Sequence, residues 1–317
     1  IAGMPSDITL SNDADDCTAV HTWTALTATD NCGIASITSD YNSGHPFPVG
    51  TTTVTYTVTD VNGRAVTASF DVTVTDDQDP SISGTPSDIN QTADSGDCEA
   101  VVTWTAPTAD DNCSATLSST HSPGDSFNVG TTTVTYTATD AAGNSVQTSF
   151  DVIVTDDEAP SIAQMAGISQ TNDLDACGAV VTWADPAVTD NCGNNTLASD
   201  IASGSSFDVG VTEVTYTATD IHGNQSTMSF NVTVTDGQLP VIADMPADIS
   251  QGTDAGSCSA VVTWDAPSAT DNCTLQTLGS DINSGATFQE GTTTVTYTAI
   301  DIYGNTTTAT FDVTITS

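Results

Sequence analysis

The sequence predicts an all-β chain: four tandem immunoglobulin-like β-sandwich modules arranged as an extended rod. Three observations carry that expectation. An internal repeat of about 80 residues holds phase through four kinds of marker, apolar residues alternate with period two between turn signals, and no stretch shows a helical period.

The repeat comes first. Cysteines stand at 17, 98, 177 and 258 and again at 32, 113, 192 and 273, so every unit holds one C-x14-C pair. A tryptophan follows each first cysteine by six residues (Trp23, Trp104, Trp183, Trp264). Tyr56, Tyr136, Tyr216 and Tyr297 lie inside V-T-Y-T segments, and Phe70, Phe150, Phe230 and Phe311 open the last strand. These markers divide the chain into modules 1–76, 77–156, 157–236 and 237–317.

Within a unit the strands follow from alternation. Cys98, Ala100, Val102 and Trp104 share one face, with Glu99, Val101 and Thr103 on the other, as expected of a half-buried strand. Val134-Thr135-Tyr136-Thr137-Ala138 and Phe150-Asp151-Val152-Ile153-Val154 alternate likewise. Between them D-x-x-G-N, Asp140 to Asn144, is a hairpin turn in which glycine takes positive φ. About seven short strands per unit fit an immunoglobulin-like sandwich. The junctions 75–82, 155–162 and 235–242 are short, and each carries one proline, which restricts its own φ and its predecessor. Such joints are semi-rigid, hence the rod. Ile1 aligns with Ile82 and Thr316 with Thr75, so the chain reads as an excerpt of a longer array.

Composition narrows function. There are 41 acidic residues against one basic residue, Arg64, for a formal net charge of −40. A polyanion without lysine has no means of displacing counterions from a nucleic-acid backbone or of sitting on an anionic membrane. No apolar run is long enough to span a bilayer. All the acids except Glu99, Glu158, Glu213 and Glu290 are aspartates, which cap turns and serve calcium sites. Disorder is excluded by the regular alternation.

Repeat symmetry pairs the cysteines within modules: Cys17–Cys32, Cys98–Cys113, Cys177–Cys192 and Cys258–Cys273. Such a closure is worth about 3 kcal/mol. It folds residues 106–112 back along the strand and places Asp111 at the exit pole beside Asp94 and Asp97. Disulfides imply an oxidising, extracellular setting. Without C-x-x-C or companion histidines, zinc and redox chemistry are not indicated.

The pattern C-x-A-V-x-T-W-x-A-P-x-A-x-D-N-C, then F-x-V-G-T-T-T-V-T-Y-T-A-T-D-x-x-G-N, then S-F-D-V-x-V-T-D-D resembles the hyalin repeat (HYR) family over almost the whole chain. Module one departs from it at Leu26, where the pattern has proline, and at Arg64, where it has asparagine. The resemblance implies immunoglobulin-like modules, a cell-surface location and a part in calcium-dependent adhesion. It extends to SprB-like gliding adhesins of bacteria, a setting that the acidic, lysine-free composition suits. Expected partners are further copies of the same module and a surface polysaccharide or cell-surface ligand.

Calcium at the joints is the leading chemical expectation, since it takes six to eight hard oxygens. Joint one offers Asp76, Asp77 and Asp79, with Asp30 and Asp140 facing them. Joint two offers Asp156, Asp157 and Glu158 with Asp111 and Asp220. Joint three keeps Asp236 with Asp190 and Asp301, because Gly237 and Leu239 replace acids. The plainer reading is that these aspartates cap turns. The four tryptophans share the cysteine face and are expected in the core rather than stacked on sugars. His21 takes the inward place that Val102 holds in module two and is expected as a core or edge residue rather than a ligand; His45, His121 and His222 lie in loops and form no cluster, and no nucleophile sits beside a base. N-x-S/T triplets at Asn90, Asn194, Asn224, Asn231 and Asn305 offer glycosylation sites; those at Asn112 and Asn272 abut cysteines and are poor ones. A non-catalytic adhesin segment is the preferred function. Carbohydrate or cell binding through the loops 33–47, 114–127, 193–207 and 274–288, or an accessory array on a secreted enzyme, are the alternatives.

Overall fold

Thr–apolar alternation produces two long strands that form the spine of each module. The computed structural model describes residues 1–317. In module one the strands are β1 (Ile8–Ser11), β2 (Thr18–Val20), β3 (Ile34–Ser39), β4 (Pro46–Pro48), β5 (Gly50–Asp60) and β6 (Ala65–Thr75). Module two has β7 (Ser81–Ser83), β8 (Ile89–Thr92), β9 (Glu99–Val101), β10 (Thr108–Asp110), β11 (Ala115–Ser119), β12 (Ser126–Asn128), β13 (Gly130–Asp140) and β14 (Ser145–Thr155). No helix is present, and modules three and four repeat the module-two arrangement. The chain divides into two compact units, Ile1–Asp157 and Glu158–Ser317, each holding two modules.

Each module stacks a four-stranded sheet on short two-stranded ribbons. In module one the sheet order is β1-β6-β5-β3 and the ribbon is β2-β4; in module two the ribbons are β9-β12 and β7-β10. The long hairpin is antiparallel, with Val134 opposite Phe150. The edge strand β1 is parallel to β6, Ile8 to Val72 and Ser11 to Thr75. Parallel pairing therefore carries the end of β1 to the pole where the module exits.

The inward faces are those the alternation predicts. Val134 and Val152 are fully buried, and Tyr136, Phe150 and Val154 nearly so. Trp104 packs edge-on against Phe150, ring centroids 5.4 Å apart. Its Nε1 donates to the Tyr136 hydroxyl at 2.8 Å, which satisfies a half-buried donor that would otherwise cost about 1–3 kcal/mol. The same bond recurs at Trp23–Tyr56, Trp183–Tyr216 and Trp264–Tyr297. The tryptophans are core residues.

The disulfides correct the sequence reading. Cys17 is bonded to Cys113 and Cys177 to Cys273, each pair 96 residues apart with Cα atoms 4.7 and 4.5 Å apart. Cys98 and Cys192 are disulfide-bonded as well, whereas Cys32 and Cys258 are free, exposed thiols. None of the within-module pairs Cys17–Cys32, Cys98–Cys113, Cys177–Cys192 and Cys258–Cys273 forms. The reason is strand length. After Cys17 the chain crosses the module once, and fourteen residues at roughly 3.3 Å each reach about 45 Å. In module two, β10 pairs with β7, Asp110 opposite Ser81, so Asp111 and Cys113 arrive at the entrance pole. Residues 106–112 run on rather than back, and Asp111 does not join Asp94 and Asp97. The bond thus fastens the exit pole of one module to the entrance pole of the next. A loop of this length is worth about 4.7 kcal/mol on the chain-entropy account.

Candidate functional site: the module joints

At joint one the chain leaves β6 and Asp76 turns inward, only 8% exposed. Its Oδ1 accepts from Asn12 Nδ2 at 3.1 Å and from the Gln78 amide at 3.2 Å. Its Oδ2 is buried with no hydrogen-bond partner, and so are Asn12 Oδ1 and Asn112 Oδ1. Module two supplies the facing side. Asn112 Nδ2 donates to the Asp16 carbonyl at 2.9 Å, and Asn144 Nδ2 to the Asp76 carbonyl at 3.2 Å. Asp111 accepts the Cys113 amide at 2.8 Å. Ligand atoms of Asp76, Asp111 and Cys113 lie within 4.8 Å of one another. The sulfur is held in the disulfide, so the two carboxylates and the amide oxygens are what remains for a hard cation.

Joint three repeats this geometry. Asp236 Oδ1 accepts from the Gln238 amide at 3.1 Å and Asn272 Nδ2 at 3.4 Å. Asp236 Oδ2, Asp271 Oδ1 and Asn272 Oδ1 are buried without partners. Asn272 Nδ2 also donates to the Ala176 carbonyl at 2.9 Å, and Asn305 Nδ2 to the Asp236 carbonyl at 3.3 Å. Asp236, Asp271 and Cys273 form the matching cluster. Buried oxygens without donors are costly alone; an ordered water or a hard cation can supply the missing partner.

The expected ligand sets change accordingly. Asp30 lies not at joint one but at the entrance pole of module one, where it accepts the Cys32 amide at 2.8 Å. Asp111 belongs to joint one rather than joint two. Asp190 follows the strand Val188–Thr189, which pairs with Ser161–Ile162 at the entrance of module three, away from joint three; Asp271 takes its expected place. Asp77 accepts Ser11 Oγ at 2.8 Å, and Asp79 lines an open acidic cleft with Asp15, Asp110 and Asp111. Asp156 is buried at the end of the first unit, while Asp157 and Glu158 are exposed.

Asp140, Asp220 and Asp301 are turn caps whose oxygens are already engaged. Asp140 Oδ1 accepts the Gly143 and Asn144 amides at 2.7 and 2.8 Å, and Oδ2 accepts Asn144 Nδ2 at 2.8 Å. Gly143 supplies the positive φ, 101°, that the turn requires. Desolvation pushes the Asp140 pKa up, but the Asn144 side chain and the Gly143, Asn144 and Ala142 amides outweigh it and hold the carboxyl below its ordinary value. Asp220 is lowered by the same balance. Asp301 accepts from Tyr303 N, Asn305 N and Asn305 Nδ2. Sequence reading missed Asn12, Asn112, Asp271 and Asn272. For the last three the signal available was the D-N-C triplet, which recurs before every second cysteine; Asn12 carries no such mark.

Fold and joints together define a tandem array of immunoglobulin-like modules in which module one is fastened covalently to module two, and module three to module four. The chain belongs to the HYR domain family, whose pattern matches residues 4–74, 75–154, 155–234 and 235–315. It is 37% identical over 295 residues to hyalin of Strongylocentrotus purpuratus, covering 89% of this chain and 25% of that protein. It is 36% identical over 307 residues to hyalin of Lytechinus variegatus, covering 93% of this chain and 58% of that protein. The chain thus spans between a quarter and somewhat over half of these relatives. Among solved structures, protocadherin gamma B2 extracellular cadherin domains 1–5 align over 98% of this chain and 79% of that one, at 14% identity and a TM-score of 0.34.

Proposed function

We propose that this chain is a non-catalytic, extracellular adhesive repeat array whose joints take up calcium. The observation that supports it most is the pair of buried, partnerless carboxylate oxygens, Asp76 Oδ2 and Asp236 Oδ2, each beside a second carboxylate and a partnerless amide oxygen. Calcium accepts such mixed carboxylate and amide ligands, completing its shell with water. The cysteine usage and the hyalin relatives support an extracellular, adhesive role. The idea of a bacterial gliding adhesin draws no support from these relatives, which are metazoan.

A calcium titration of the intact chain followed by thermal unfolding tests the metal. Calcium is expected to raise Tm, by an amount equivalent to about 2.7 kcal/mol at a hundredfold excess over Kd, and magnesium far less. An unchanged Tm overturns the joint sites. Adhesion is tested separately with chain-coated beads and cells: clustering or cell capture is expected above uncoated controls, and its absence removes the adhesive role.

A further inference from the structure

Cys32 and Cys258 are free and exposed, yet each stands in a pole built like those that are bonded elsewhere in the chain. At the entrance pole of module two, the Cys113 amide donates to Asp111 at 2.8 Å and the Asp140 amide to the Asn144 carbonyl at 3.1 Å. At the entrance pole of module one, the Cys32 amide donates to Asp30 at 2.8 Å and the Asp60 amide to the Arg64 carbonyl at 2.9 Å. These residues border a cleft of about 340 Å³. The exit poles match as well. In module one, Asn12 N donates to the Thr75 carbonyl and Asp13 N to the Thr18 carbonyl; in module four, Thr253 N donates to the Thr316 carbonyl and Asp254 N to the Ser259 carbonyl. Asp254 also caps Val261 N at 3.1 Å, as Asp13 caps Val20 N at 3.0 Å.

From this we infer that Cys32 and Cys258 are the two halves of an intermodular disulfide to further copies of the module: Cys258 bonds the second cysteine of a copy placed after it, and Cys32 the first cysteine of a copy placed before it. Two copies of this chain carry both halves. The polar contact beside the bond sets the direction. In bonded joints the asparagine before the second cysteine donates to the carbonyl before the first: Asn112 to Asp16 and Asn272 to Ala176, both at 2.9 Å. Asn31 and Ser257 occupy those places here. Two entrance poles brought together offer two asparagine donors and no such carbonyl, so exit-to-entrance pairing is favoured over Cys32–Cys32.

The oxidant is a disulfide such as oxidised glutathione. One thiolate attacks it, forming a mixed disulfide and releasing one glutathione thiol. The second thiolate attacks the mixed disulfide and releases the other, so two protons and two electrons pass to glutathione.

The test begins with alkylation of the unreduced chain, which should label Cys32 and Cys258 and none of the other six cysteines. The unlabelled chain is then incubated with oxidised glutathione, with calcium and again with chelator, and the linked peptides are mapped. Cys258–Cys32 links between copies should exceed either homotypic link by about tenfold or more, the ratio given by about 1.4 kcal/mol of docking preference. A mixture of Cys32→Ser and Cys258→Ser chains should give mixed dimers, with unaltered Tm in each variant because both positions are exposed. Links in random proportion, a bond within one chain, or glutathione-capped monomers overturn the proposal. Linkage read in chelator separates this outcome from the fate of the calcium sites.

Discussion

Joints one and three share a disulfide and an inward aspartate but differ at the rim and in the asparagine that serves that aspartate, Asn12 for Asp76 and Asn272 for Asp236. Both carry a disulfide spanning 96 residues and an inward aspartate with one oxygen lacking a partner. At the rim of joint one, Asp77 holds Ser11, and Asp79 adds charge to the cleft. At joint three, Gly237 stands in place of Asp77 and donates its amide to Asn172 at 3.0 Å, while Leu239 stands in place of Asp79 with 55% of its surface exposed. The acids that thin out along the sequence are rim acids. The ones positioned against the neighbouring module are kept.

The comparison breaks most visibly at the disulfides. Cys113→Ser and Cys273→Ser should each lose about 4–5 kcal/mol in urea unfolding. Equal loop lengths make equal losses, and a large inequality would show that one joint holds by other means. Trypsin adds a covalent check: cleavage after Arg64 should leave residues 1–64 tied to the remainder through Cys17–Cys113 until reductant is added. Next in size, Asp76→Asn and Asp236→Asn should each abolish the calcium-dependent stabilisation of their own unit, about 2–3 kcal/mol, whereas Asp30→Asn should leave joint one unchanged. Acid gives a further contrast. Asp140 has a folded pKa below its ordinary 3.8, so its contribution is present at neutral pH and is lost as pH falls through that lowered value. Asn144→Ala should raise the Asp140 pKa in an NMR titration and shift acid unfolding of the first unit to higher pH. The smallest effects belong to the rim. Asp77→Ala should cost about 0.5 kcal/mol or less, and Gly237→Asp, whose Cβ meets Thr171 at an ordinary 3.4 Å, should change stability by a similar amount.

Much of this architecture is legible in the residues. Period-two alternation around Tyr136 and Phe150 specifies which side chains face inward, and Trp104 follows because it shares a face with Ala100 and Val102. The inward role of Asp76 and Asp236 is also readable, since each directly follows the last strand of its module. The other half of each joint is not. Repeat symmetry is satisfied equally well by a first cysteine paired with the second cysteine of its own module or of the next. Only the single crossing of the sandwich between Cys17 and Cys32 decides, and that is a matter of distance. A within-module pairing carries Asp30, Asp111 and Asp190 to the wrong poles and leaves Asp271 out of joint three.

The long-span bonds also bear on what tension does to the chain. Force applied at the ends of the first unit enters along residues 1–17, crosses the sulfur bridge to Cys113, and bypasses everything between. Each bridge withholds up to about 330 Å of contour length, at roughly 3.4 Å per residue. Most of module one and the opening strands of module two therefore sit inside a loop that a pull cannot extend. What can yield in this unit is the stretch outside the loop, residues 1–16 and 114–157, which lengthens while joint one stays closed.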